Sequence, residues 1–503
     1  MELSHNGTTL HSPAAKKLAE FLRQQRENGN LEVSDFERFE SELHEQISAL
    51  ECELVSEELA RYDVVAEEIE VAGVVYRHTL TSSETYLSAA GSVTVTRNLY
   101  RPAGYGSRSI CPLELRAGII NGHFTPRAAR QAGFAMAHLT SGESEALFDE
   151  LENMRPSRSS LDRLPKALSP HWERQRVQWE AALREQETVP AAAAIVAISV
   201  DGVMAPIKGG DKSDKQNQPG KHASGPTGYK EVGCGTVVLY DDQTERLQTV
   251  RYARMPENKK VTLQQQLETE VASILALRPD LLRIHLADGA KDNWRLLNEL
   301  EARMPQPAQS PIEILDFYHA CDHLKNACDA AWGESTVVGK AQFERLKTLL
   351  KEAEDGAERV IDSLRYRRDR ANGNKRKRLQ AELTYFHNQR HRMRYAEYIR
   401  QGLPIASGVM EASCKTLVTQ RLKRSGMAWA MPGGQAILTL RSLIQSNRWR
   451  PAWELLRADF CKEVKVRKTK CSSPAIALRQ PKSLARSDQE LGYVDYAALP
   501  LAS

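Results

Sequence analysis

The feature that most constrains this chain is a succession of short apolar segments between residues 195 and 320. IVAISVDGVMA, CGTVVLYD, ERLQTVRYARM, LRIHLADGA and IEILDFYHA follow one another, rich in β-branched and aromatic residues. Four of these read as strands, and three are bordered by turn residues. Between the third and fourth segments lies TLQQQLETEVASILAL, which reads as a helix.

Three adjacent strands followed by alternating helix and strand is the order expected of an RNase H-like α/β core. The link between the first two strands, KGGDKSDKQNQPGKHASGPTG, is polar, Gly-rich and basic. It reads as a mobile loop or one that orders only on a ligand.

The rest of the chain arranges itself around this core. Residues 1–70 read as a helical N-terminal arm, with apolar positions at helical spacing through AAKKLAEFLRQQ and FERFESELHEQISALECELVSEELARYDVV. The arm is rich in Glu, which suits oligomerisation or packing better than a nucleic-acid grip. Residues 71–112 read as a small antiparallel β region, where VVYRHTL, ETYLSAAG and SVTVTRNLYRP are bounded by Ser, Gly and Pro. In 113–185, FTPRAARQAGFAMAHL, GESEALFDELEN and SRSSLDRLPKAL read as three helices, the first opened by Thr125-Pro126. The second and third read as short and are joined by MRPSR, a helix-turn-helix-like layout that would turn Arg155, Arg158 and Arg163 toward phosphates or base edges. The core takes up 190–325 and 401–460. A helical basic insertion, 326–400, divides it, and 461–503 reads as a basic, loosely ordered tail.

Bulk composition narrows the class further. With 503 residues, of which 41% are hydrophobic and 27% charged, the chain can bury several cores. A net charge of only +4 does not by itself call for a polyanionic partner, so the position of the charges has to carry that argument. The eight cysteines include no CxxC pair, which excludes an ordinary zinc ribbon or thioredoxin-like motif and fits reduced thiols. MELSHNGTTLHSPAAKK lacks the apolar run of a signal peptide, and no stretch approaches the length of a membrane span. The expectation is a cytoplasmic, nucleoid-associated protein without a membrane partner.

Three acids stand out within the core. Asp201 follows AIVAISV, Asp288 follows LRIHLA, and each precedes a glycine. Acids at strand ends point into the crevice where such folds bind ligands. Like charges on neighbouring strands repel unless a cation lies between them, and Mg²⁺ favours a shell of a few carboxylate oxygens completed by water and phosphate. A third acid on a nearby helix completes a site for two ions about 3.5–4 Å apart. Glu411 suits that role, on a helix started by Ser407 or Gly408, with Lys415 one turn later. Asp292 rivals Asp288, and Glu382 and Glu397 lie in helical surroundings comparable to those of Glu411.

At these residues the chain resembles bacterial insertion-sequence transposases of the ISKra type (Kra family four). The resemblance is carried by ISVDGVM, LADGAKDNW, LDFYHACDHL, IASGVMEASCKTLVTQRLKRSGMAW and GGQAILTLRSLIQS, and it spans roughly 195–455. It implies a DDE triad at Asp201, Asp288 and Glu411, two Mg²⁺ or Mn²⁺ ions, and DNA cleavage followed by strand transfer. It also implies that the helical segment between Asp288 and Glu411 is an insertion in the RNase H-like fold. DFYH is similar to a D-x-x-H signature of Mutator-like and related transposases, which implies that Asp316 and His319 lie near the active site. Without it, His319 reads as a core histidine, and His323 one turn later could pair with it.

The expected partners are transposon ends and target DNA, with a homo-oligomer to hold two ends. DNA contact is expected from Lys415, Gln420, Arg421, Lys423 and Arg424, and from the basic run Arg365–Arg378, which includes Arg367, Arg368, Arg376 and Arg378. Arg390, Arg392 and Arg394 extend that run. A nuclease or resolvase of the same fold that cuts without joining, an inactive DNA-binding derivative and an unrelated metal phosphatase are the alternative readings.

Overall fold

A computed structural model describes residues 4–5, 8–9, 12–27, 36–102, 108–208, 228–305 and 310–469. The chain is mixed α/β, with one sheet of four strands and one of five beside a two-residue pairing at Ser4–His5 and Thr8–Thr9. It divides into two units, residues 1–179 with 450–503, and residues 180–449. Among the described residues no helix is long and apolar enough to cross a membrane.

The first unit opens with helices α1 (Pro13–Glu27) and α2 (Phe36–Ala60). The helical arm expected to run to residue 70 stops there, because strand β1 takes Ala66–Val71. AEEIEV buries Ala66, Ile69 and Val71, and antiparallel pairing with the next strand overrides the helical preference of its glutamates. Ala72 and Gly73, both at positive φ, turn the chain into β2 (Val74–Leu87), which pairs antiparallel with β3 (Ser92–Pro102). The fourth strand is Lys465–Thr469, antiparallel to β1. The start of the expected loose tail is therefore an ordered edge strand, held by backbone pairing and by Arg467 and Lys468 against Glu70 and Glu67. The remainder of that tail lies outside the described residues.

Helices α3 (Pro112–Ala117), α4 (Pro126–His138), α5 (Ser141–Glu150) and α6 (Arg158–Glu185) follow. Thr125 is the N-cap of α4 and Pro126 its first residue, as the sequence predicts. Thr140 and Glu143 close a reciprocal capping box on α5. The third helix of the expected short pair is not short. It runs for 28 residues through Pro165 and Pro170, because Leu161, Leu164, Leu168, Trp172, Trp179 and Leu183 form one buried stripe. Arg155 and Arg158 are exposed on either side of its start, and Arg155 faces Asp149 at 3.6 Å.

The second unit carries β4 (Ile195–Pro206), β5 (Tyr229–Tyr240), β6 (Arg246–Arg254), α7 (Val261–Leu277), β7 (Leu282–Ala287), α8 (Lys291–Glu301) and β8 (Ile312–Leu315). All five apolar segments thus become strands, in the order β8-β7-β4-β5-β6. β4, β5 and β6 are antiparallel neighbours, while β7 runs parallel to both β4 and β8. Helix α7 lies close on β5, where a Cβ on Gly235 would stand 2.9 Å from Leu267. Such close approach explains why two glycines, 233 and 235, interrupt a buried strand.

Five helices follow β8: α9 (Phe317–Trp332), α10 (Val337–Glu352), α11 (Gly356–Asp369), α12 (Gly373–Gln389) and α13 (Tyr395–Arg400). Their apolar faces join the buried cluster of the sheet through Leu324, Leu346, Val360, Leu379 and Tyr395. The chain then returns in α14 (Gly408–Ser413), a π turn at Cys414–Thr419 and α15 (Met431–Gln445). The basic link expected to be a loop, 208–228, lies outside the described residues except at its two ends.

Candidate active site

The sheet opens at Asp201. Parallel pairing of β4 with β7 ends at Ile198 opposite His285, whereas antiparallel pairing with β5 continues to Pro206 opposite Tyr229. Ile195 to Val200 are buried, and Asp201, Gly202 and Val203 are only half so. Asp201 therefore lies inside a strand rather than after it, at the point where one neighbour departs. One carboxylate oxygen accepts from the Gly202 N–H at 2.6 Å, and the other lies 3.5 Å from the Cys414 thiol.

Burial raises the Asp201 carboxyl above the usual carboxylate range, and the charge of Asp288 raises it further. The Gly202 N–H, the Cys414 thiol and His319 pull it back. Four elements thus converge on Asp201: β4 itself, the turn after β7, the first turn of α9, and the helix that begins with α14. Cys414 is held as a thiol first by its hydrogen bond with Cys234, then by burial and the neighbouring carboxylate.

Asp288 begins the turn between β7 and α8. Its Oδ1 accepts from the Ala290 N–H at 3.1 Å and from Asn293 Nδ2 at 2.9 Å, and Trp294 Nε1 donates to its carbonyl at 2.6 Å. Among the described residues Oδ2 accepts no hydrogen bond. Its rival Asp292 is in the exposed first turn of α8 and faces Arg295.

Glu411 is exposed on α14, whose N-cap is Ser407. Its carboxylate makes no hydrogen bond or ion pair among the described residues. Positions three apart share a helix face, so Glu411 stands one turn before the Cys414 that touches Asp201. Glu382 and Glu397 are spent elsewhere, on His323 at 2.6 Å and Arg394 at 3.1 Å.

Asp316 is close to this centre but does not face it as a free acid. It is 2% exposed, its Oδ1 caps α9 through the His319 N–H, and its Oδ2 accepts from the Ser407 N–H. Its own N–H donates to the Ala287 carbonyl at 2.9 Å. One residue therefore joins the start of α9 and the cap of α14 through its carboxylate and the end of β7 through its backbone, the three pieces that carry His319, Glu411 and Asp288. Both oxygens of Asp316, expected beside the active site, are thus taken up by backbone N–H groups. His319 is exposed rather than a core residue, and His323 bonds Glu382 and stacks on Tyr385 instead of pairing with it.

Several neighbours were not legible in the sequence. Lys260 joins Glu231 at 2.6 Å and donates to Asn293 Oδ1 at 2.9 Å, which links the Gly202 side of β4 to the Asp288 turn. A Cβ on Gly202 would stand 1.9 Å from Glu231 Oε1. On the other flank, Tyr385 and Gln389 of α12 lie on Gly289. A single Glu, Lys or Tyr in an ordinary helix or strand carries no local signature, and only the acid-glycine pairs did.

The basic residues separate into two groups. Lys415, Gln420, Lys423 and Arg424 are exposed beyond Glu411, and Arg376 and Arg378 are exposed on the first half of α12. Arg421 is 3% exposed and lies 5.0 Å over the Trp429 ring, so it packs the core instead of facing outward. The DNA contact expected of it from its place just past Glu411 is therefore not open to it in this packing. Arg392 is likewise taken up by Glu313 at 2.7 Å and the Trp294 ring at 3.7 Å. Arg368 binds Asp369 at 2.6 Å and Gln380 at 2.9 Å, whereas Arg367 is exposed over Trp332 at 4.6 Å.

Among the described residues no group of three or more His, Cys, Asp and Glu side chains stands close enough to hold a metal ion as it is. The charge of Asp288 nevertheless acts on Asp201, and Asp288 Oδ2 and the Glu411 carboxylate accept no hydrogen bond among the described residues. Hard carboxylate oxygens in partial supply fit Mg²⁺ or Mn²⁺ and do not fit a thiolate-seeking ion. No protein-family model matches the chain, and no curated protein matches it.

Proposed function

We propose that this chain is a DDE transposase with an RNase H-like core, cutting and joining DNA with divalent metal ions held by Asp201, Asp288 and Glu411. The observation that carries the reading is the approach of Asp201 and Asp288 from neighbouring parallel strands, at the point where those strands part, with the Glu411 helix packed beside Asp201 through Cys414. The strand order β8-β7-β4-β5-β6, with the helical segment placed between the second and third acids, supports the same fold assignment.

Divalent ions at these acids would make a water or a 3′-hydroxyl nucleophilic and neutralise charge on the attacked phosphate. The protein's part is positioning, which supplies most of the catalysis in phosphoryl transfer. Asn293 and the Ala290 N–H fix the orientation of Asp288, and Asp316 fixes the helix that presents Glu411. His319, exposed on the first turn of α9, would contact the scissile strand. Lys415, Gln420, Lys423 and Arg424 extend the exposed surface past Glu411 and would bind backbone phosphates there. Transposon ends and target DNA are the proposed partners, gathered by a homo-oligomer.

The test is nicking and joining of supercoiled plasmid in Mg²⁺ or Mn²⁺ by the wild type and by Asp201→Asn, Asp288→Asn and Glu411→Gln, with DNA retention measured in parallel. Metal-dependent cutting and strand transfer, lost in each variant while DNA is still bound, supports the reading. Cutting without joined products moves the assignment to a nuclease or resolvase. A variant that cuts as well as wild type removes its residue from the triad.

A further inference from the structure

Helix α12 belongs to the segment that follows the five-stranded sheet, yet its last two turns return to the Asp288 turn. Gln389 Nε2 lies 3.4 Å from the Gly289 carbonyl. One turn earlier, the Tyr385 ring covers Gly289 so closely that a Cβ there would stand 2.3 Å from Cε2 and 2.9 Å from the phenol oxygen. The ring is clamped from behind, stacked on His323 with centroids 3.5 Å apart and planes 16° apart. His323 is in turn anchored to Glu382 at 2.6 Å.

The hydroxyl at the end of this clamp is buried and has no hydrogen-bond partner among the described residues. Leaving a buried hydroxyl unpaired is unfavourable, so a Phe would serve better if the residue only filled space. The charged neighbours that act on it most strongly are Asp288 and then Asp316. A carboxylate oxygen can accept a hydrogen bond while it ligates a cation, and partners of this kind orient ligating carboxylates.

We propose that Tyr385 is a positioning residue for Asp288, its clamped ring bracing the Asp288–Gly289 turn and its hydroxyl donating to Oδ2 of Asp288 as that carboxylate takes up a divalent cation. The proposal rests on the carboxylate-metal reading of the site. It gives the helical segment a direct part in the active centre, through a residue far from the acids in sequence.

The experiment is calorimetric titration of Mn²⁺ into the full chain, wild type and Tyr385→Phe, with Asp288→Asn as reference and the metal-free Tm of each. We expect Tyr385→Phe to bind Mn²⁺ about 10- to 100-fold more weakly while its metal-free Tm is unchanged or higher. Tyr385→Ala, which also removes the brace, should weaken Mn²⁺ binding at least as much and lower the Tm. Unchanged Mn²⁺ affinity in Tyr385→Phe, against measurable binding by wild type that Asp288→Asn abolishes, overturns the role of Tyr385 and leaves the metal site standing. Absence of Mn²⁺ binding by wild type overturns the metal reading and this inference with it.

Discussion

The two sheets of this protein solve burial differently, and the difference indicates where chemistry can be placed. In the first unit the first half of β3 alternates, with Val93 and Val95 buried between exposed Ser92, Thr94 and Thr96, so one face meets solvent over that stretch. Cross-strand pairs such as Thr85 with Thr94, 2.8 Å apart, line that wet face. In the second unit β4 and β5 are buried on both faces for most of their length, and polar side chains enter only where pairing with β7 ends. A uniformly wet face offers no special place for a carboxylate. A dry sheet that opens at one point creates one, because a charge there is partly desolvated and its neighbours act on it strongly.

That contrast yields tests, beginning with the largest effect. Replacing Asp201, Asp288 or Glu411 by its amide should lower DNA cleavage by at least on the order of 10²–10³-fold, while Thr85→Ala on the wet face leaves cleavage unchanged. Equal losses at both places would erase the distinction.

Next comes the support of the dry sheet. Arg448, 3% exposed, binds Glu270 at 2.7 Å and Glu187 at 2.5 Å, and Tyr252 donates to Glu270 at 2.6 Å. Arg448→Ala leaves Glu270 buried beside an insufficient counter-charge and should destabilise the second unit by about 3–5 kcal/mol in denaturant titration. Thr85→Ala should cost only about 0.2–1 kcal/mol by the same measurement.

A third test concerns charges on the surface. Arg376→Ala with Arg378→Ala should leave the Tm within roughly 1 °C and weaken DNA binding across sequences alike. The salt dependence of log affinity should become shallower by about 2. An unchanged slope would take α12 out of the DNA-binding surface.

The smallest effect is the most diagnostic of the opening itself. Burial holds the Asp201 carboxyl above its ordinary value, so the folded chain binds that proton more tightly than the unfolded chain does. Stability from this group is complete in acid and falls as pH rises through the ordinary carboxylate range and up to the raised value. Asp201→Asn escapes that loss. In metal-free buffer its Tm should exceed that of wild type at neutral pH, and the two should converge in acid. A lower Tm at neutral pH would mean that the ionised carboxylate is stabilised where it stands.

The strands were legible because continuous apolar runs have one economical fate in a chain of this size, burial in a sheet covered on both faces. Asp201 and Asp288 were legible for a related reason, since an acid that ends such a run has nothing apolar to do. Glu411 was not distinguishable from Glu382 or Glu397 by local pattern, and what separates them is that His323 and Arg394 occupy the other two. Arg421 read as a DNA contact because it lies among the cations just past Glu411, and only packing reveals that it stacks on Trp429. The segment Lys465–Thr469 read as tail because its charges show no buried face, although an edge strand needs only backbone partners.

By itself, then, the sequence determined the elements whose physics is local: the runs that become strands, the Thr125-Pro126 helix start, and the two acids that close apolar segments. Tertiary structure decided everything that depends on residues distant along the chain. It spent Asp316 on two backbone N–H groups, buried Arg421, and brought Tyr385 onto Gly289. The reason is that periodicity reports which face of an element is dry, whereas the partner of a polar group is set by how elements pack, and no local spacing encodes that.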